Sequence, residues 1–149
     1  MHVSAKSDYA IRIAAELAGG PAKGDALAAR QGIPLRVMEP VLGELRRAGI
    51  VGSRRGPDGG YWLTRPPAQI SVADIVRAID GPLASVRGER PEDVTYPGAA
   101  QPLQQVWLAM RVNLRAVLER VSIADIAAGA LPDFVAELIA EPAAWQRRE

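Results

Sequence analysis

Two short amphipathic stretches separated by only three residues constrain this chain more than any other feature. Residues 24–31 can hold two turns of helix with Leu27 and Ala28 facing inward, and the link Gly32-Ile33-Pro34 leads into a second stretch over 35–48. There Met38, Val41, Leu42 and Leu45 recur at i, i+3, i+4, i+7, one face of an α-helix, before Gly49 closes it. Gly32 suits the left-handed residue that follows a helix. A supporting helix is expected over 4–18, where Tyr9, Ala10, Ile13 and Leu17 form a stripe stopped by Gly19-Gly20-Pro21. Two short helices joined by a tight glycine turn and resting on a third make a helix-turn-helix.

The period then changes. Residues 50–54 and 61–64 are short strand-like runs flanking Arg55-Gly56-Pro57-Asp58-Gly59-Gly60, which predicts a hairpin whose turn needs positive φ. Helices followed by a basic-tipped hairpin predict a mainly α fold with a small β-wing, a winged helix-turn-helix. Ser71 and Asp74 then form a capping box opening a helix with Val72, Ile75, Val76 and Ile79 on one face. Residues 81–101, rich in Gly, Pro and charge, read as a long loop.

A long helix is expected from about Pro102, roughly 20 residues and about 30 Å. Leu103, Trp107, Met110, Leu114, Val117 and Val121 alternate in steps of four and three, the seam of a coiled coil, with Val106 and Leu118 broadening it. The winged-helix half has its own core, so this stripe points to a dimer interface rather than to the chain's own interior. The run Ser122-Ile123-Ala124-Asp125-Ile126 repeats Ser71-Val72-Ala73-Asp74-Ile75, read as one capping device used twice. Phe134, Val135, Leu138 and Ile139 suggest a last amphipathic helix. The organisation expected is a winged helix-turn-helix domain at 1–82, a loop at 83–101 and a helical dimerisation region at 102–149.

Charge is distributed unevenly. The net +1 of the 149 residues hides +4 over residues 1–67 and −3 over 68–149, and five arginines (Arg46, Arg47, Arg54, Arg55, Arg65) face one acid, Asp58, between 46 and 67. Local positive charge attracts phosphates even on a nearly neutral molecule. There is no cysteine, and His2 is the only histidine. Thiolate metal sites, thiolate-held clusters, cysteine nucleophiles, Ser-His-Asp catalysis and histidine-based zinc sites therefore lack parts. Lys6, Asp8 and Arg12 interrupt any signal-like start, and no run reaches the ~18 apolar residues of a membrane span, so a cytoplasmic protein is expected.

The segment Ser53-Arg54-Arg55-Gly56-Pro57-Asp58-Gly59-Gly60-Tyr61, preceded by Leu45-Arg46-Arg47-Ala48-Gly49-Ile50-Val51, resembles the BadM/IscR/NsrR family of bacterial regulators. The start at 4–14, Gln31-Gly32-Ile33-Pro34 and Ile70-Ser71-Val72-Ala73-Asp74-Ile75 are similar to that family as well. The resemblance is close over 1–82 and is one of pattern only over 103–128. It implies a homodimeric transcription factor. By the same resemblance, Leu35, Arg36, Val37, Glu39 and Pro40 would face the major groove. Arg55, Gly56 and Pro57, flanked by Tyr61, would reach the minor groove. Ser4, Lys6 and Tyr9 would touch the backbone.

Residue chemistry agrees for several of these. Arg36 can donate a bidentate pair to guanine and Glu39 can accept from cytosine. Arg55 on a compact turn can enter a narrow minor groove. Arg46, Arg47, Arg54 and Lys6 suit phosphate contacts. Two departures stand out. Pro40 inside the reading helix costs about 3 kcal/mol unless it lies in the first turn, so a kinked or displaced helix is expected. Many members hold an iron–sulfur cluster on three cysteines of the loop corresponding to 82–104, and this chain has none. Asp8, where some relatives place an acidic ligand, reads instead as a first-turn acid.

The expectation is a non-enzymatic regulator, a repressor or an activator, that uses no cofactor and binds double-stranded DNA as a homodimer at a pseudo-palindrome. Its input is a small molecule, a protein partner or its own abundance. Trp107, Met110 and Tyr96 lie near the long loop and either line a pocket or pack in the dimer core. Two alternatives remain open at this point. One is a winged helix that binds protein; the other, weaker, is an enzyme using 54–60 as a phosphate loop, which lacks the phosphate-loop pattern and is followed by strand rather than helix.

Overall fold

A computed structural model describes residues 1–148. Its helices are α1 (Ala5–Leu17), α2 (Gly24–Gln31), α3 (Leu35–Arg47), α4 (Val72–Asp80), α5 (Leu103–Leu118), α6 (Ile123–Ala128) and α7 (Asp133–Ile139), with a hairpin of β1 (Val51–Arg54) and β2 (Gly60–Leu63) between α3 and α4. The helix-turn-helix and its wing are present as the residues predict. Gly32 ends α2 at φ 63°, ψ 30°, and its backbone N–H reaches the Ala28 and Ala29 carbonyls.

The core is built from the stripes read above. Ala10, Ile13, Ala14 and Leu17 of α1 meet Leu27 of α2 and Met38, Val41, Leu42 and Leu45 of α3, closed by Ile50, Val51, Ile70 and Ile75. Each fully buried Leu or Ile here contributes about 1.5–3 kcal/mol of apolar burial. The hairpin pairs antiparallel with Val51 opposite Leu63 and Arg54 opposite Gly60. Its outer side is fixed by one further bridge: Ala22 and Tyr61 exchange both backbone hydrogen bonds, at 3.0 and 2.8 Å. Gly60 stands at φ 146°, and a Cβ there would lie 2.9 Å from the Ala22 carbonyl oxygen, so this close approach requires glycine.

Both capping boxes form, Ser71 with Asp74 and Ser122 with Asp125. They also sit side by side. Ser71 and Ser122 form an antiparallel bridge, in which the Val72 N–H donates to the Val121 carbonyl (2.9 Å) and the Ile123 N–H to the Ile70 carbonyl (2.8 Å). The repeated sequence is thus a matched pair of helix starts. It carries α6 back onto α1, with Ile123 fully buried in the winged-helix core. The core therefore draws on residues beyond 82, and the region 102–149 is not wholly separate from it.

The long helix of the C-terminal half is shorter than expected, and three residues of its stripe have partners within the chain. α5 spans 16 residues, Leu103–Leu118, or about 24 Å, shorter than the roughly 20 residues read from its stripe. Val121, expected on the seam, lies past its end, buried, with its carbonyl tied to Val72. Trp107 and Leu114 turn toward their own chain. The Trp107 indole N–H donates to the Tyr96 hydroxyl (2.9 Å), and Leu114 with Leu118 packs on Ala73, Val76 and Leu83. The remaining residues, Leu103, Val106, Met110 and Val117, fall within about 60° of one another around the helix, and Val106 is 54% exposed. The loop before α5 is ordered by burial of Leu83, Ala84, Pro91 and Val94 and by a tight turn at Arg87-Gly88, both at positive φ.

Candidate nucleic-acid interface

α3 divides sharply around its axis. Met38, Val41, Leu42 and Leu45 are buried, while Arg36, Glu39, Pro40, Arg46 and Arg47 are exposed on the opposite face. Leu35 is exposed at the start, whereas Val37 is half-buried against the core. Pro40 is the sixth residue of a helix assigned without interruption, so the late start that would place it in the first turn is not adopted. Its missing N–H would have reached the Arg36 carbonyl, and because residue 40 faces outward that carbonyl lies on the open side. Gly43 occupies the middle of the same face, where a Cβ would stand 3.4 Å from the Arg47 guanidinium.

The wing tip, Arg55-Gly56-Pro57-Asp58, is exposed. Between it and α3 runs a groove lined by Lys23, Gly24, Arg46, Ser53, Arg54, Arg55 and Tyr61, with no acidic residue among its lining. The Arg46 guanidinium donates to the Ser53 hydroxyl at 3.3 Å, joining α3 to β1. Lys23 was not singled out from sequence. A lone lysine before a helix carries no pattern, and the Ala22–Tyr61 bridge is what brings it beside the wing. Lys23 gives α2 no side-chain cap; the first-turn Asp25 carboxylate instead accepts from the Ala26 N–H at 2.9 Å.

The basic side chains of this face carry no ion pairs. Among the described residues Lys23, Arg36, Arg46, Arg47, Arg54 and Arg55 have no carboxylate within 4 Å, whereas Lys6 pairs with Glu44 (3.0 Å), Arg12 with Asp8 (3.3 Å) and Arg65 with Asp74 (4.0 Å). Six free cations on one side of a protein of net charge +1 form a local field that suits phosphates.

The predicted first-helix contacts are held by internal partners. Ser4 caps α1, accepting from the Ser7 N–H (3.0 Å), and its hydroxyl donates to Asp80 (2.7 Å). The buried Ser7 hydroxyl also donates to Asp80, at 2.6 Å. Desolvation raises the Asp80 carboxyl, but the hydroxyls of Ser7 and Ser4 outweigh it and hold the group below the ordinary aspartate value. Tyr9 packs against the core with the Arg12 guanidinium 5.5 Å from its ring centroid. The ring of Tyr61 lies close to Gly24, and its backbone serves the bridge. Asp8 is the first-turn acid expected, four residues before Arg12.

A recognition helix and a basic wing on a helix-turn-helix core define a winged-helix DNA-binding regulator. Residues 3–129 match the Rrf2 family, described as "Iron-dependent Transcriptional regulator", and the chain belongs to that family. Rv1287 of Mycobacterium tuberculosis, named as an HTH-type transcriptional regulator, is 48% identical over 142 residues, covering 93% of this chain and 88% of that protein. The HTH-type transcriptional regulator CymR of Bacillus subtilis is 30% identical over 131 residues, covering 85% of this chain and 90% of its own length. The solved structure of CymR, described as the global cysteine regulator of B. subtilis, superposes with a TM-score of 0.72 at 29% identity, covering 86% and 97% of the two chains. The structure of T. potens IscR gives 0.66 at 28% identity, covering 99% and 94%.

The iron in the family description does not fit the donors of this chain as a resident cluster. The sequence has no cysteine to supply thiolates, and no three His, Asp or Glu side chains gather as ligands among the described residues. In the loop at 83–101, buried Leu83, Pro91 and Val94 provide the anchoring.

Proposed function

We propose that the chain is a homodimeric repressor that needs no iron–sulfur cluster, catalyses no reaction and works in the cytoplasm by occupying a pseudo-palindromic operator. Each protomer lays the outward face of α3 in the major groove, with Arg36 and Glu39 at base edges. Arg55 at the wing tip enters the neighbouring minor groove, while Lys23, Arg46, Arg47 and Arg54 hold phosphates. Residues 1–82 with α6 form the reading head, 83–101 the bracing loop, and the outer stripe of α5 the dimer contact. Leu103, Met110 and Val117 remain in that contact, with Val106 added. Ser4, Lys6, Tyr9 and Tyr61 act at one remove, by fixing α1 and the wing.

The observation that carries this reading is the gathering of unpaired cations on the exposed face of α3, the wing and the groove between them, whose lining holds no acidic residue. A winged helix serving protein recognition would not need that charge left free. Mobility-shift titration at several salt concentrations tests it. Affinity should fall steeply and linearly on logarithmic axes as salt rises, and Arg55→Ala should weaken operator binding about tenfold while lowering the salt slope by about one. Salt-independent binding, or an Arg55→Ala protein with unchanged affinity, refutes the reading. Protein purified without oxygen from iron-replete cells should be colourless; a visible absorption band bound to the folded protein would contradict the cluster-free part.

A further inference from the structure

A second group of arginines lies away from the DNA face. Arg77 of α4, Arg111 and Arg115 of α5 and Arg90 of the loop line a cleft of about 340 Å³, whose floor is the backbone and apolar side chains of residues 81–84. That volume suits a small metabolite. Only one carboxylate, Glu92, shares the lining, and it accepts from a terminal nitrogen of Arg111. Its own backbone N–H, and next the Arg111 guanidinium, hold the Glu92 carboxyl below the ordinary glutamate value, so it stays ionised. Outside the cleft Glu119 accepts from Arg77 and lies 4.0 Å from Arg115. Four guanidiniums thus meet two carboxylates, and Arg90 has no acidic partner within 4 Å among the described residues. The Nε–H of Arg111 is buried and has no acceptor, which is costly for a charged donor.

We propose that this cleft is a binding site for a small organic dianion, with a phosphate or paired-carboxylate head on Arg90 and Arg111 and a short apolar stem on residues 82–84. Glu92 acts there as an internal carboxylate that occupies part of the Arg111 fork and must yield to the ligand. Bidentate arginine contacts to carboxylate or phosphate are the strong, geometrically selective kind. The cleft lies between α4, whose last residue Asp80 latches α1, and α5, which bears the outer apolar stripe. That placement suits an effector. The site itself stands independently of the DNA reading, because ligand binding is measured on the protein alone.

Isothermal titration of the full chain with inorganic phosphate, glycerol 3-phosphate and succinate, at matched ionic strength in sodium chloride, tests it. At least one probe should bind saturably in the micromolar to low-millimolar range, and the best of the three separates a phosphate head from a dicarboxylate. Arg90→Gln, a change at an exposed residue without an ion pair, and Arg111→Gln should each weaken binding about tenfold. Glu92→Gln should tighten it several-fold, which a merely structural role would not produce. Absence of saturable binding by all three probes, or Arg90→Gln and Glu92→Gln proteins that bind as the parent does, overturns the proposal.

Discussion

Asp80 shows how much one side chain can organise. It ends α4 and receives the hydroxyls of Ser4 and Ser7, so it fixes the first turn of α1 to the C-terminus of α4. A carboxyl whose folded value is depressed stabilises the protein above its unfolded value, near pH 4, and loses that contribution as pH falls through the folded value. Asp80→Asn keeps the shape and removes the charge. Thermal melts across pH should show the variant less stable than the parent at pH 7 and pH 5, with the gap closing below about pH 4. A gap that ignores pH would mean the hydroxyls do not act on a charged group. At this scale the sequence was informative where the physics is local: Gly32, both capping boxes and the Arg55 wing tip need only their neighbours to be read. Lys23 was illegible because its place beside the wing comes from the neighbouring Ala22–Tyr61 bridge, which joins residues 39 positions apart in the chain.

The elements were legible in kind and less so in orientation. The stripe on α5 marked an amphipathic helix, but a wide stripe does not say which half its own chain covers. Tyr96 and the Leu83 cluster take Trp107 and Leu114, while Leu103, Met110 and Val117 stay half-buried and Val106 is exposed. The end of α5 carries no Gly or Pro stop, so the stripe ran on to Val121, which tertiary pairing with Val72 withdraws from it. The outer half predicts a clean dissection. Met110→Asp combined with Val117→Asp should give a folded monomer by analytical ultracentrifugation, since burying like charges at a two-fold contact is strongly unfavourable. Trp107→Phe should remain dimeric and lose about 1 kcal/mol of stability with its hydrogen bond to Tyr96. If Trp107→Phe dissociates the dimer and the double variant does not, the seam has been assigned to the wrong side.

At the scale of the whole molecule, the homodimer proposed above would carry two reading heads related by a two-fold axis, which demands half-sites about one helical turn, ~34 Å, apart. Inserting five base pairs between the half-sites rotates one of them to the far side of the duplex. Operator affinity should then drop toward the non-specific level in a mobility-shift titration, whereas a monomer reading one half-site would be indifferent to the insertion. The overall fold was readable because helix-turn-helix and wing each leave a local signature in fixed order. The return of α6 to the core was not, since the pairing of Ser71 with Ser122 depends on two distant segments meeting.

That pairing fixes one end of α5, and the loop before the helix fixes the other. Its C-terminal end runs into Val121 and Ile123, locked beside α4, and its N-terminal half is braced by Gln104 and Arg111 on Glu92 and by Trp107 on Tyr96. A rod clamped at two points cannot swivel on its mount. Any change in how two such rods cross would therefore be delivered undiminished to the spacing of the arginine tips. The span between the two wings would be the mechanical output, and the crossing angle its control.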